Sequence, residues 1–78
     1  EHEDVLRTLH HFWDGLDHWG ADVLQSVVPK VATAADVTPK QVYTAAYTAL
    51  LGRASGPRLG SLAAALGRRA TLGLLNRD

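Results

Sequence analysis

Residues 47–60 read YTALLGRASGPRLG, and this segment decides how the chain divides into helices. The leucines and alanines before Gly52 favour helix. Glycine is common just past the end of a helix, and proline is preferred at the first helical position. The segment therefore predicts a helix that ends at Gly52, a short polar link, and another helix that begins at Pro57.

The helix before this segment has a clear start at residues 38–41. Thr38 can cap the helix, Pro39 suits its first position, and Gln41 lies where a capping box requires Glu or Gln. We therefore expect a helix from Pro39 to about Leu51.

Helical periodicity extends toward both ends of the chain. In the first half, apolar side chains recur at steps of three and four, which predicts one helix over residues 3–16 and a second over residues 21–35. Trp19 should pack beyond the end of the first helix. Pro29 lacks a backbone donor, so we expect it to kink or divide the second. The helix from Pro57 should stop at Gly67, with a last helix over residues 68–75. The sequence thus predicts an all-α fold, a compact bundle of about five short helices.

Size and composition fit a single helical domain over residues 1–78. The chain has 78 residues, is 46% hydrophobic and contains no cysteine, so neither disulfides nor thiolate metal sites stabilise it. No apolar run approaches the roughly 20 residues that span a bilayer. The acidic first residues are unlike a signal peptide. We therefore expect a cytoplasmic protein with no membrane association.

Charge is distributed unevenly although the net charge is zero. Residues 1–36 hold seven acidic and two basic side chains, a net charge of −5, whereas residues 37–78 hold six basic and one acidic, a net charge of +5. Such asymmetry is a hint of nucleic-acid contact. The alternative is that the two halves attract each other inside one bundle.

Residues 47–60 resemble a pattern near the C-terminus of class I lysyl-tRNA synthetases. In that family a helix ends in a Leu-Gly pair, and a short polar link leads to Gly-Pro-Arg-Leu-Gly and another helix. Residues 66–69 and 74–75 are similar to the family's closing helices. The resemblance covers residues 19–75 in layout and is specific over residues 47–60. Bacterial glutamyl-tRNA synthetases end in a related domain, but Arg58-Leu59-Gly60 favours the lysyl kind.

The resemblance implies a helix-cage domain that holds the anticodon end of a tRNA, with a lysine tRNA as its partner. It does not imply catalysis, because the class I core needs a nucleotide-binding fold and two ATP-handling signatures, for which 78 residues leave no room. His10-His11 lacks the Ile-Gly neighbours of the first signature. We therefore predict no enzyme activity, no catalytic residues and no cofactor for this chain.

RNA-contacting residues are predicted around the Gly-Pro turn. Its structural residues are Gly52, Gly56, Pro57 and Gly60, since glycine adopts conformations that β-carbons disfavour and proline fixes the backbone. Free N–H groups at a helix start and an arginine fork both suit phosphate. The predicted RNA-binding residues are Arg53, Arg58, Arg68, Arg69 and Tyr47. The alternative is that the turn is only structural and that Arg58 pairs with an acid in the first half.

The aromatic side chains have two interpretations each. Tyr43 and Tyr47 lie four apart on one helix face, where they either stack on unpaired bases or pack in the core. Trp13 and Trp19 lie in acidic surroundings that repel RNA, so we expect them to pack or to contact a protein partner or a second copy. Such contacts define a rival function, a helical protein-interaction or assembly module that does not bind RNA.

A metal site is the weakest of the possibilities. His11, Asp14 and His18 could share one helix face, but no cysteine joins them and Gly15 weakens the helix between them. We predict no metal site and expect the histidines to be solvated or to cap helices.

Overall fold

Five α-helices form the part of the chain that the structure describes, residues 2–75 of a computed structural model. They are α1 (His2–Asp14), α2 (Ala21–Ala35), α3 (Pro39–Leu51), α4 (Leu59–Leu66) and α5 (Arg68–Leu75). No strand occurs between residues 2 and 75. The predicted all-α bundle of about five short helices is therefore confirmed.

The longest helix, α2, crosses the molecule and packs against α1, α3 and α4. Its 15 residues extend about 22 Å at 1.5 Å each, and the molecule measures 25 × 23 × 23 Å. Leu24, Val28 and Val31 on this helix are fully buried. Burying one such side chain stabilises the fold by about 1.5–3 kcal/mol, so α2 is the centre of the core.

Helix α1 ends at Asp14, two residues before the predicted end at Leu16. Beyond Asp14 the chain tightens, because the Leu16 N–H donates to the Trp13 carbonyl three residues earlier, at 3.1 Å. A tight final turn is a common way to satisfy carbonyls at a helix end, and apolar periodicity does not mark where it starts. Trp19 packs beyond the helix as predicted, with its ring 5.8 Å from that of Trp13.

Pro29 does not divide α2, so that part of the prediction is wrong. The helix is continuous from Ala21 to Ala35, with Pro29 on its exposed side. The Pro29 carbonyl accepts a hydrogen bond from the Thr33 hydroxyl at 3.1 Å. A proline inside a helix costs about 3 kcal/mol. Burial of several apolar side chains at about 1.5–3 kcal/mol each exceeds that cost, so packing keeps the helix whole.

The start of α3 is as predicted. The Gln41 N–H donates to Thr38 Oγ1 at 3.2 Å, and the Thr38 N–H donates to Gln41 Oε1 at 2.8 Å. These two bonds make a complete capping box, with Pro39 at the first helical position. Local sequence chemistry therefore determines where this helix begins.

Helix α4 begins at Leu59, so the prediction that Pro57 opens it is wrong. Arg58 precedes the helix with a non-helical backbone (φ −49°, ψ 128°), and Pro57 belongs to the link. In a helix that began at Pro57, its carbonyl would accept from an N–H four residues later. Here that carbonyl accepts from the Tyr47 hydroxyl, ten residues earlier in the chain. A contact of this range leaves no local sequence signal.

Candidate nucleic-acid interface

The link between α3 and α4 is an exposed segment, residues 52–58. Gly52 closes α3 with a left-handed backbone (φ 76°), and its N–H donates to the Thr48 carbonyl at 2.9 Å. A residue with a β-carbon is disfavoured at such a positive φ. Arg53 and Arg58 lie near the two ends of the link, and both are exposed. The link therefore presents two guanidinium groups to solvent.

The middle of the link packs against α3, where Gly56 lies close to Leu51 and Tyr47. A β-carbon at Gly56 would come within 2.6 Å of Leu51 Cδ1 and 3.4 Å of the Tyr47 ring. Tyr47 is only 8% exposed, and its hydroxyl donates to the Pro57 carbonyl. Burial, with the nearby Tyr43 as a second cause, raises the pKa of the Tyr47 hydroxyl. Tyr47, one of the predicted RNA-binding residues, therefore has its ring inside the fold and its proton in place at neutral pH.

Gly60 allows α4 to approach the backbone of α2 closely. A β-carbon at Gly60 would lie 2.2 Å from the Ala21 carbonyl oxygen and 3.0 Å from the Gln25 backbone nitrogen. The Gly60 N–H donates to Gln25 Oε1 at 2.8 Å. The neighbouring Leu59 is fully buried. The first turn of α4 is thus fixed against α2 by packing and by a hydrogen bond.

Arg58 lies close to an acid from the first half of the chain. Its Nη1 is 3.6 Å from Asp22 Oδ1, and the two side chains are 55% and 94% exposed. Exposed pairs of this kind contribute about 0–1 kcal/mol. Arg58 therefore does contact an acid from the first half of the chain, as the alternative interpretation held, but the pair is weak. The Arg58 guanidinium remains able to bind another anion.

Arg68 and Arg69, at the start of α5, have different surroundings. Arg68 is half-buried, and its Nη2 donates to the carbonyls of Asp14 at 2.7 Å and Leu16 at 2.8 Å. Its guanidinium lies 5.6 Å from the centre of the Trp19 ring. A cation is favourable at the C-terminal end of a helix such as α1, where carbonyls lack helical partners. Arg69 is exposed, so one arginine braces the fold and the other faces solvent.

The two tryptophans are held inside the fold by their indole N–H groups. Trp13 is fully buried and donates to the Leu24 carbonyl at 3.2 Å. Trp19 is half-buried and donates to the Ala63 carbonyl at 3.0 Å. A partner could reach Trp13 only by opening the core, so the predicted partner contact through Trp13 is not available in this fold.

The sequence that forms these five helices and the link matches one known protein family. Residues 1–77 match the family described as anticodon binding domain. The chain belongs to the anticodon-binding domain family. An anticodon-binding domain by itself is an accessory unit and not a catalytic one.

The domain is also similar to the lysine–tRNA ligase of Methanococcus maripaludis, with 34% identity over 56 residues. The aligned part is 72% of this chain and 10% of the relative, so the chain spans about a tenth of that relative's length. No solved structure shows a significant match. The resemblance to the anticodon-binding domain of lysyl-tRNA synthetases is therefore confirmed.

The described part of the domain contains neither a group of three potential metal ligands nor a membrane-spanning helix. Between residues 2 and 75, no three His, Cys, Asp or Glu side chains are grouped as metal ligands. Over the same range, no helix is both long enough and apolar enough to cross a bilayer.

Two residues near the start of α2, which the sequence does not single out, reach the end of the link and the first turn of α4. Asp22 contacts Arg58, and Gln25 contacts Gly60. The local sequence shows only that Gln25 is a polar residue directly beside the buried Leu24. Its partner lies 35 residues away in the chain, so the pairing itself could not be predicted.

Proposed function

We propose that this domain binds the anticodon end of a tRNA as the accessory domain of a lysyl-tRNA synthetase. The observation that carries the proposal is the family match over residues 1–77. Similarity to a relative named lysine–tRNA ligase supports lysine tRNA as the partner. The chain spans about a tenth of that relative's length. Aminoacylation by a whole cytoplasmic synthetase, of which this domain would be one part, belongs to the same proposal.

In this proposal, three exposed arginines contact the RNA backbone. Arg53 and Arg58 border the link, and Arg69 follows the other end of α4. Helix α4 has 8 residues and is therefore about 12 Å long at 1.5 Å per residue, which separates Arg58 from Arg69. Guanidinium groups pair bidentately with phosphate. Such contacts orient the RNA without reading its sequence.

Arg68 and Tyr47 enter the proposal as residues that hold this surface in place. Arg68 Nη2 and the Tyr47 hydroxyl both donate to backbone carbonyls inside the domain. We expect their substitution to act through stability and positioning, because these donors are already engaged.

The test is a tRNA titration at two salt concentrations with the Arg53→Ala/Arg58→Ala double variant. We expect a loss of about tenfold or more in affinity, because a hydrogen bond to a charged group contributes about 1.5–3 kcal/mol. The slope of log affinity against log salt should also become shallower by roughly 1.5, since each phosphate that is no longer neutralised changes it by about 0.7–0.9. Lysine, glutamate and unrelated tRNAs measure selectivity in the same titration.

The matched control is the Arg7→Ala/Lys30→Ala double variant, which removes two exposed positive charges from the other half of the chain. Its affinity should stay close to that of the native domain. Equal losses in the two double variants would contradict a specific arginine surface. A domain that binds no tRNA and self-associates in light scattering would instead have the rival function, a protein-interaction module.

A further inference from the structure

Hydrogen bonds from buried and half-buried side chains reach the backbone on both sides of Arg58. On one side, the Tyr47 hydroxyl donates to the Pro57 carbonyl. On the other side, the Gly60 N–H donates to Gln25 Oε1 at 2.8 Å. The two residues that follow Pro57 are therefore held at both ends, although the Arg58 side chain itself is exposed.

The side chains that make these two bonds are also joined to each other. Gln25 Nε2 donates to the Tyr43 hydroxyl, and the rings of Tyr43 and Tyr47 are stacked, with centres 6.4 Å apart and planes 23° apart. Gln25, Tyr43 and Tyr47 thus form a continuous cluster, the link clamp. Gln25 lies on α2, and Tyr43 and Tyr47 lie on successive turns of α3. The hydrogen bonds of Tyr47 and Gln25 reach the backbone on either side of Arg58.

The link clamp has the properties of a rigid support. Both polar ends of the Gln25 side chain are used. Within residues 2–75, every buried side-chain nitrogen and oxygen has a hydrogen-bond partner. Satisfied polar networks rigidify the groups that they hold. The close approach of Gly60 to Ala21 and of Gly56 to Leu51 removes further freedom from the same segment.

We propose that Gln25, Tyr43 and Tyr47 are positioning residues that hold the backbone of residues 57–60, and with it Arg58, in the geometry that binds an RNA phosphate. This inference rests on the proposed function, because it supplies the reason why Arg58 is held and not merely exposed. Arg58 begins from a fixed backbone, so binding requires less ordering of the link. The clamp contacts no RNA itself.

The central test compares Tyr47→Phe with the native domain. This variant keeps the ring and removes only the hydroxyl that donates to the Pro57 carbonyl. Tyr43→Phe is a second variant, which removes the acceptor of Gln25 Nε2. Thr33→Val is the matched control, because the Thr33 hydroxyl also donates to a proline carbonyl, that of Pro29. Thr33 lies eight residues from Gln25 along α2, about 12 Å away at 1.5 Å per residue.

The first measurement needs no RNA. Backbone ¹⁵N relaxation of residues 58–60 should show increased motion in Tyr47→Phe and no change in Thr33→Val. Circular dichroism confirms that each variant is fully folded under the conditions used. Unchanged relaxation of this segment in both Tyr47→Phe and Tyr43→Phe overturns the clamp, whatever the RNA result.

The second measurement is tRNA affinity of the folded variants. Tyr47→Phe should bind about threefold to tenfold more weakly, the range that corresponds to one hydrogen bond. Its salt dependence should stay native, because the number of neutralised phosphates is unchanged. Arg58→Ala should cost less affinity in the Tyr47→Phe background than in the native one, since the two residues act together. If Tyr47→Phe binds tRNA with native affinity, or if the losses caused by Tyr47→Phe and Arg58→Ala simply add, Tyr47 has a purely structural role and does not position Arg58.

The two measurements separate the proposals. If the native domain binds no tRNA, the proposed function fails and the RNA role of the clamp fails with it, while relaxation still decides whether the clamp fixes the link. If the domain binds tRNA through Arg58 and the variants show native relaxation and affinity, only the clamp is overturned.

Discussion

Among the glycines, Gly60 has the least room for a side chain. Its missing β-carbon would meet backbone atoms of Ala21 and Gln25 at 2.2 and 3.0 Å, and backbone cannot rotate away as a side chain can. We expect Gly60→Ala to lower the free energy of unfolding by about 2–3 kcal/mol, as overpacking does. Gly73→Ala is the control, since nothing lies within 4 Å there and alanine should stabilise that helix by about 0.5–1 kcal/mol. Urea unfolding measures both. A Gly60→Ala domain as stable as the native one would contradict the close helix contact.

At the same scale, the range of each contact decides which site residues the sequence could predict. Gly52 ends a helix by local chemistry, and its left-handed backbone follows from its place in the chain. Arg68 looked like a free cation at the start of a helix. Its two carbonyl acceptors lie 54 and 52 residues earlier, and no pattern around Arg68 indicates them. Tyr47 is intermediate, because its helix face was predictable and its partner Pro57 was not.

At the scale of elements, the junction of α3 with the link predicts an alkaline limit to stability. The pKa of Tyr47 is raised by burial and by Tyr43, whereas in the unfolded chain it is about 10. The unfolded chain therefore loses this proton first. The free energy of unfolding should be unaffected below about pH 10 and should fall as the pH rises toward the folded pKa. Urea unfolding across this range tests the effect, and Tyr47→Phe should remove it. The same alkaline slope in both proteins would contradict it.

Helix boundaries show whether contacts that are local or distant in sequence determine where an element begins and ends. The capping box of Thr38 and Gln41 is contained in four residues, so the start of α3 could be predicted. The start of α4 could not, because the Pro57 carbonyl is taken by Tyr47 on another helix. Pro29 shows the opposite case, in which a strong local signal is outweighed by core packing on the other side of α2. The sequence thus predicts which elements exist better than where each one ends.

At the scale of the whole molecule, ion pairs among the described residues neutralise little of the charge contrast between the halves. Within residues 2–75, one ion pair joins the halves, Arg58 with Asp22, and the other, Arg7 with Asp4, lies inside the first half. The bundle is held instead by its apolar core. Attraction between the halves therefore accounts for little of the charge pattern. An uneven field of this kind steers a polyanion toward the basic side of a molecule.

The pairing of Asp22 with Arg58 leads to a prediction about binding strength. Asp22 offers Arg58 an anionic oxygen at 3.6 Å, so RNA phosphate has to compete with it. We expect Asp22→Asn to raise tRNA affinity by about threefold, the equivalent of an exposed pair of roughly 0.7 kcal/mol. The gain should disappear in the Arg58→Ala background, because the competition acts through that side chain.

Asp36→Asn is the control for this prediction, since it removes the same charge from the other end of α2. Asp36 is exposed and has a left-handed backbone (φ 59°), which asparagine tolerates. The affinity of the Asp36→Asn domain for tRNA should stay close to native at physiological salt, where charges more than about 8 Å apart are largely screened. If the two asparagine variants gain equally, the gain reflects net charge alone, and Asp22 does not compete for Arg58.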